Sequence, residues 1–223
     1  MHSAALLLIL LVGIAGRVAY VDRPLDDRLL APWREADYVQ LARNFYREGA
    51  SFFYPQIDWR GDTPGYAEME APIVPWIGAA LYRRYGYNEA LLRIPAAVLG
   101  VLGLVTFAIL ARTALPPLGA LFATAAFAVN PLLVYLGNAM QPEPLMLLLS
   151  MIAIGLIWRW ERAPRFVTLL AACGATALAI LAKSPAAYLG LVLAYTVLRT
   201  RGQRGVTDHP RDMTRNTVHL YVG

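Results

Sequence analysis

The chain is short of charge and nearly devoid of cysteine. Only 16% of its residues are Asp, Glu, Lys or Arg, where a soluble domain carries about a quarter. Hydrophobic residues make up 58% of the 223 positions, and mean hydropathy is +0.47. That balance excludes an ordinary soluble globule and indicates an all-α polytopic membrane protein. The single cysteine, Cys173, excludes an intrachain disulfide and any cysteine cluster for zinc; inside an apolar run it reads as a small buried hydrophobe. No Lys or Arg precedes the first apolar core, which continues past Arg17, so this segment reads as a retained helix and not as a cleaved signal. The net charge of +5 is unevenly placed. Acids outnumber bases between Asp22 and Ala71, whereas Arg159, Arg162, Arg165, Arg199, Arg201 and Arg204 flank apolar runs. Arginines placed this way do not form the stripe of a nucleic-acid interface; they mark loops that face the cytoplasm.

What is present is a series of apolar runs and one long polar loop. About six spans are expected, at residues 4–21, 91–111, 118–136, 145–158, 166–182 and 186–198. Arg17 lies near the outer end of the first, where it would snorkel or meet a loop carboxylate. Residues 22–71 form a first outer loop rich in acids and aromatics. Within it, Tyr38, Leu41, Ala42 and Phe45 recur at helical spacing, predicting an amphipathic helix from Glu35 to Glu48 that lies along the membrane surface and ends at Gly49. Residues 72–85 are apolar but too short to cross a bilayer, which predicts an interfacial helix closed by Gly86. Counting crossings from a cytoplasmic N-terminus puts the long loop, Glu143 and Lys183 on one extracytoplasmic face. The positive-inside rule agrees. The expected organisation is one membrane module over 1–198 and a basic cytoplasmic tail over 199–223 without apolar periodicity, read as disordered or poorly packed.

The candidate chemistry follows from that shared face. Glu35 and Asp37 open the surface helix, where they complement its dipole or supply a general base or metal ligand. Two residues apart, they do not share a helix face. Glu68 and Glu70 precede Pro72; in an extended segment they point the same way. Glu143 stands between two prolines at the mouth of two spans, where a carboxylate is a functional candidate. Lys183 follows the fifth run and would neutralise a phosphate or anchor the helix by snorkelling. Together they suggest a site for an anionic, lipid-borne substrate.

The stretches Trp33-Arg34-Glu35-Ala36-Asp37-Tyr38, Ala42-Arg43-Asn44-Phe45-Tyr46, Tyr54-Pro55-Gln56-Ile57-Asp58-Trp59-Arg60-Gly61 and Glu68-Met69-Glu70-Ala71-Pro72 resemble the N-terminal half of bacterial dolichyl-phosphate-mannose–protein mannosyltransferase-like enzymes of the GT-C fold. The QPEP and AKSP breaks near Glu143 and Lys183 fit the same pattern, and the resemblance extends over residues 4–198. It implies a GT-C-like helical bundle in the bacterial inner membrane. It also implies an extracytoplasmic active face and transfer of a sugar from a polyprenyl-phosphate donor to a glycan, lipid or protein acceptor. It further implies Asp37 as the catalytic acid with Glu35 as the alternative, and Glu143 as a second site acid. Lys183 would meet the donor phosphate, with Glu68, Glu70 and Arg43 in the substrate-binding set. A divalent cation, Mg or Mn, would be held by Asp37 and Glu143. Ala71 stands where some relatives carry a lysine. Such enzymes are about twice this length, so the chain is expected to be such a membrane glycosyltransferase or a truncated part of one. The alternative is a catalytically inactive membrane subunit that binds a lipid-linked glycan or a partner protein.

Overall fold

The computed structural model describes residues 2–19, 21–22 and 32–207; the parts of the expected loop at 23–31 and of the expected tail at 208–223 lie outside the described residues. Apart from a single antiparallel bridge, Gln56 to Tyr66, the described residues are helical or irregular. The helices are α1 (His2–Val18), α2 (Pro32–Arg47), α3 (Ile73–Tyr85), α4 (Arg93–Ala114), α5 (Pro117–Val129), α6 (Pro131–Leu136), α7 (Glu143–Arg162), α8 (Phe166–Ala182) and α9 (Tyr188–Thr207). Short 3-10 turns precede α4 and α9.

Among the described residues two helices are long and apolar enough to cross a bilayer, Glu89–Ala114 and Glu143–Arg162; Ser3–Val18, Pro117–Val129 and Phe166–Ala182 are apolar but shorter. The expected count of about six is reduced partly by proline. The run expected over 118–136 breaks at Asn130-Pro131 into α5 and α6, because Pro131 lacks the N–H that the Phe127 carbonyl would otherwise accept from. Asn130 caps α6, its side chain accepting from the Leu133 amide. At the other end of the chain, α9 continues past Leu198 to Thr207, so the first part of the expected tail is helical.

Arg17 fills the gap left by that break. It neither snorkels nor meets a loop carboxylate: it is 1% exposed and donates to the carbonyls of Gly13 (2.9 Å), Ala128 (2.9 Å) and Phe127 (3.3 Å). The cation therefore caps the C-terminal end of α5, satisfying acceptors that Pro131 orphans and meeting the negative end of the helix dipole. Room for it comes from glycine: a Cβ at Gly137 would lie 2.9 Å from Arg17 Cγ, and one at Gly100 would lie 3.0 Å from Gly137 Cα. Cys173 is exposed, not buried. The buried face of α8 is the stripe Ala172, Ala175, Thr176, Ala179, and position 173 falls off it.

The cap formed by α2 and α3 has its own core. Tyr38, Leu41, Ala42 and Phe45 of α2 pack on Val74, Ala79 and Tyr82 of α3, with Leu92 and Met140 beneath. The apolar stripe of α2 is thus covered by α3, which corrects the expectation that it would rest on the membrane surface. After α2 the chain forms a hairpin: the Ile57 amide donates to Gly65 O and the Ala67 amide to Pro55 O, both at 2.9 Å. Arg43 pairs with Asp58, Arg60 grips Glu48 through both nitrogens, and Asn44 donates to Gln56 O at 2.8 Å. Gly65 has φ +75°, and a Cβ there would meet Ile57 O at 2.6 Å. Gly65→Ala is expected to cost about 1–2 kcal/mol from the left-handed backbone alone and to loosen the hairpin. Hydrogen exchange at the Ile57 and Ala67 amides checks this; unchanged protection would contradict it.

Candidate functional site

One end of the bundle gathers side chains from four separate stretches. Glu143, at the first position of α7, receives Lys183 from the end of α8 and Arg34 from α2; both cations meet the same oxygen, Oε1, with Arg34 at 3.3 Å. Lys183 is the chain's single lysine. The Lys183 and Glu143 side chains are 14% and 15% exposed and that of Arg34 is 32% exposed, so this is a desolvated ion cluster with one open side. Glu143 Oε2 is buried without a hydrogen-bond partner among the described residues. The cluster forms because α8 ends at Ala182 and turns at Ser184-Pro185, leaving Lys183 extended across the start of α7. Nearby, the Ala71 amide donates to the Leu181 carbonyl at 3.0 Å, which fastens the end of the outer loop to the same place.

Tyr38 and Glu70 complete the cluster. Tyr38, one turn on from Arg34, is 5% exposed and lies within the electrostatic reach of Glu70 and Glu143. Burial first, then the Glu70 and Glu143 carboxylates, raise the Tyr38 pKa, while Arg34 opposes the shift. The phenol therefore stays protonated. Glu70 and Glu68 do not act alike: a bend at Glu70 breaks the extended alternation, leaving Glu68 exposed and Glu70 half-buried.

Glu35 and Asp37 separate as their spacing requires. Glu35 is 1% exposed; its Oε1 accepts from the Met140 amide at 3.0 Å and from Arg93 at 3.5 Å. Arg93 also donates to the Asn138 carbonyl at 2.6 Å. Burial raises the Glu35 pKa, with Arg93 and the Met140 amide pulling it partly back. This group is a latch between α2 and the 137–142 break. Asp37 is half-buried on α2 and does not join the Glu143 cluster through any hydrogen bond or ion pair among the described residues. Arg43 is also apart, held by Asp58 of the hairpin, because its side of α2 is the one the hairpin covers. Arg34, Tyr38 and Arg93 escaped the sequence reading. The signal for the first two was their i, i+4 spacing; for Arg93 it was an arginine opening an apolar run opposite a buried acid.

The donor set does not suit a divalent cation at Asp37 and Glu143. Among the described residues no three Asp, Glu, His or Cys side chains converge, and Glu143 Oε1 already carries two cationic partners. Lys183 and Arg34 supply the positive charge there.

A family model described as dolichyl-phosphate-mannose-protein mannosyltransferase matches residues 69–211, more than half of the chain. The match takes in Glu70, Glu143 and Lys183; the first-loop stretches at 33–61, which carried most of the resemblance in the sequence, precede it. No curated protein and no solved structure matches the chain.

Proposed function

The chain belongs to the dolichyl-phosphate-mannose-protein mannosyltransferase family, a membrane family of lipid-linked-sugar glycosyltransferases, and from that premise we propose that it transfers a sugar from a polyprenyl-phosphate carrier to an acceptor hydroxyl at the extracytoplasmic face of the inner membrane. The proposal includes a GT-C-like bundle in which the shorter apolar helices also lie in the bilayer. The observation that carries it is the meeting of Arg34 and Lys183 on Glu143 beside Tyr38 and Glu70.

Each group then has a role. Glu70 is the general base: it is half-buried, stands within electrostatic reach of Tyr38, and has no cation of its own among the described residues. It takes the proton of the acceptor hydroxyl. The hydroxyl oxygen attacks the anomeric carbon as the bond from that carbon to the phosphate oxygen breaks, and configuration inverts. The electron pair leaves with the phosphate, whose charge Lys183 and Arg34 stabilise. Glu143 holds those two cations in place before the phosphate arrives. A second reading follows from the same ion cluster: with both cations engaged by Glu143, the chain would be an inactive subunit that binds a lipid-linked glycan.

Because Lys183 is the only lysine, reductive methylation with isotopic reagent reports on one ε-amine. Bound polyprenyl phosphate is expected to protect it, and Lys183→Gln and Arg34→Gln are each expected to raise the KM for donor about tenfold, the loss of one charge-assisted contact of ~1.4 kcal/mol. Lys183 labelling that ignores the lipid phosphate would sink the donor-site assignment. Protection without transfer would favour the subunit reading.

A further inference from the structure

We infer that a cavity at the end of the bundle away from Glu143 holds the phosphate of an anionic phospholipid, with Arg112 as its cation. The cavity measures about 210 Å³ and opens between Ser3 and Leu6 of α1, Arg112 of α4, Leu115 and Pro117 at the α4–α5 turn, and Leu121 of α5. Arg112 is the one charged residue on its walls, and it makes no hydrogen bond or ion pair among the described residues. The negative end of the α4 dipole favours a cation there, but no carboxylate holds it. Pro116 and Pro117 fix their own φ angles through the turn, so these walls are preset before a ligand arrives.

Depth, charge and size together select a lipid phosphate. Helix α4 runs from Arg93 to Ala114, and Arg93 is held at the Glu35 end by the Asn138 carbonyl. From Arg93 to Arg112 the helix rises roughly 28 Å at about 1.5 Å per residue, against a hydrocarbon core of about 30 Å. With Arg93 at one boundary, Arg112 reaches the headgroups of the opposite leaflet, where basic side chains attract anionic lipids. No acid lines the cavity, so nothing there receives the cation of a choline or ethanolamine headgroup, and a net negative headgroup is preferred. The volume is below the roughly 300–1,000 Å³ of a pocket that encloses a whole small molecule. It suits a headgroup whose chains stay outside. Leu7 and Leu8, beside Leu6, and Leu118 and Phe122, beside Leu121, are exposed and offer the acyl chains an apolar surface. The inference rests on α4 crossing the bilayer and not on the transfer reaction.

The test is native mass spectrometry of the full chain in detergent micelles, titrated with dioleoyl phosphatidylglycerol or dioleoyl phosphatidylcholine. One phosphatidylglycerol is expected to bind about tenfold more tightly than phosphatidylcholine, the worth of one hydrogen bond to a charged group. Arg112→Gln is expected to erase that preference, and Arg112→Lys to keep most of it. Arg162→Gln changes an exposed arginine at the same end, on α7, and is expected to leave the preference intact. Arg112 is exposed as well, so its variants fold. Equal affinity for the two lipids overturns the site, as does a preference that survives Arg112→Gln or falls as far in Arg162→Gln. Displacement of phosphatidylglycerol by equimolar polyprenyl phosphate also overturns it, because the cavity would then be a carrier site. Sugar transfer by a chain that lacks the preference sinks this site alone. The preference without transfer leaves it standing and sinks the transferase reading instead.

Discussion

Glu70→Gln is expected to lower sugar transfer by about 10²–10⁴-fold, the usual worth of a positioned general base, while donor binding persists. The substitution is nearly isosteric and removes only charge and basicity, so the surrounding geometry holds. Asp37→Asn is the matched control. Asp37 is half-buried and makes no hydrogen bond or ion pair with the Arg34–Glu143–Lys183 cluster among the described residues, so this variant is expected to transfer at close to the wild-type rate. Steady-state transfer at saturating donor separates the two. A dead Asp37→Asn beside an active Glu70→Gln would move the base to Asp37 and make Glu70 a positioning residue.

The second large effect is on stability. Glu35→Ala would leave Arg93 charged in a site where it is 5% exposed, and removing one partner of a buried pair typically costs about 3–5 kcal/mol. Glu35→Gln should cost much less, because the amide oxygen still accepts from the Met140 amide. The pH dependence has a definite sign. Burial holds Glu35 above its ordinary value of 4.5, so the folded state binds the proton more tightly than the unfolded chain. Its contribution is then fullest below pH 4.5 and declines as pH rises through the raised folded value. Thermal unfolding across that window should show the decline in the wild type and not in Glu35→Gln. A parallel pair of curves would contradict the latch.

The helices were legible where periodicity is strong. The Tyr38-Leu41-Ala42-Phe45 stripe marked α2, the apolar run ending at Gly86 marked α3, and Pro142 and Pro185 marked the breaks beside Glu143 and Lys183. What the stripe could not say is what covers it, since a lipid surface and another helix ask for the same residues; α3 is the answer here. Arg17 misled for a related reason. An arginine near the end of an apolar helix ordinarily reaches for water, but Pro131, far away in sequence, orphans the carbonyl that holds it. Long-range pairs of this kind leave no local signature. The site was half legible: Glu143 and Lys183 lie on one end of the bundle as topology counting placed them, whereas Arg34 and Tyr38 reach it through the rotation of α2, which also sends Glu35 inward and Asp37 elsewhere.

The most direct measurement is transfer of label from a radiolabelled polyprenyl-phosphate sugar by the purified chain in lipid, with Glu70→Gln alongside. Label on the acceptor and release of polyprenyl phosphate are expected from the wild type, and neither from the variant. A folded wild-type protein that binds the donor, protects Lys183 and moves no label would contradict it, and would make this chain a binding subunit of the family instead of a transferase.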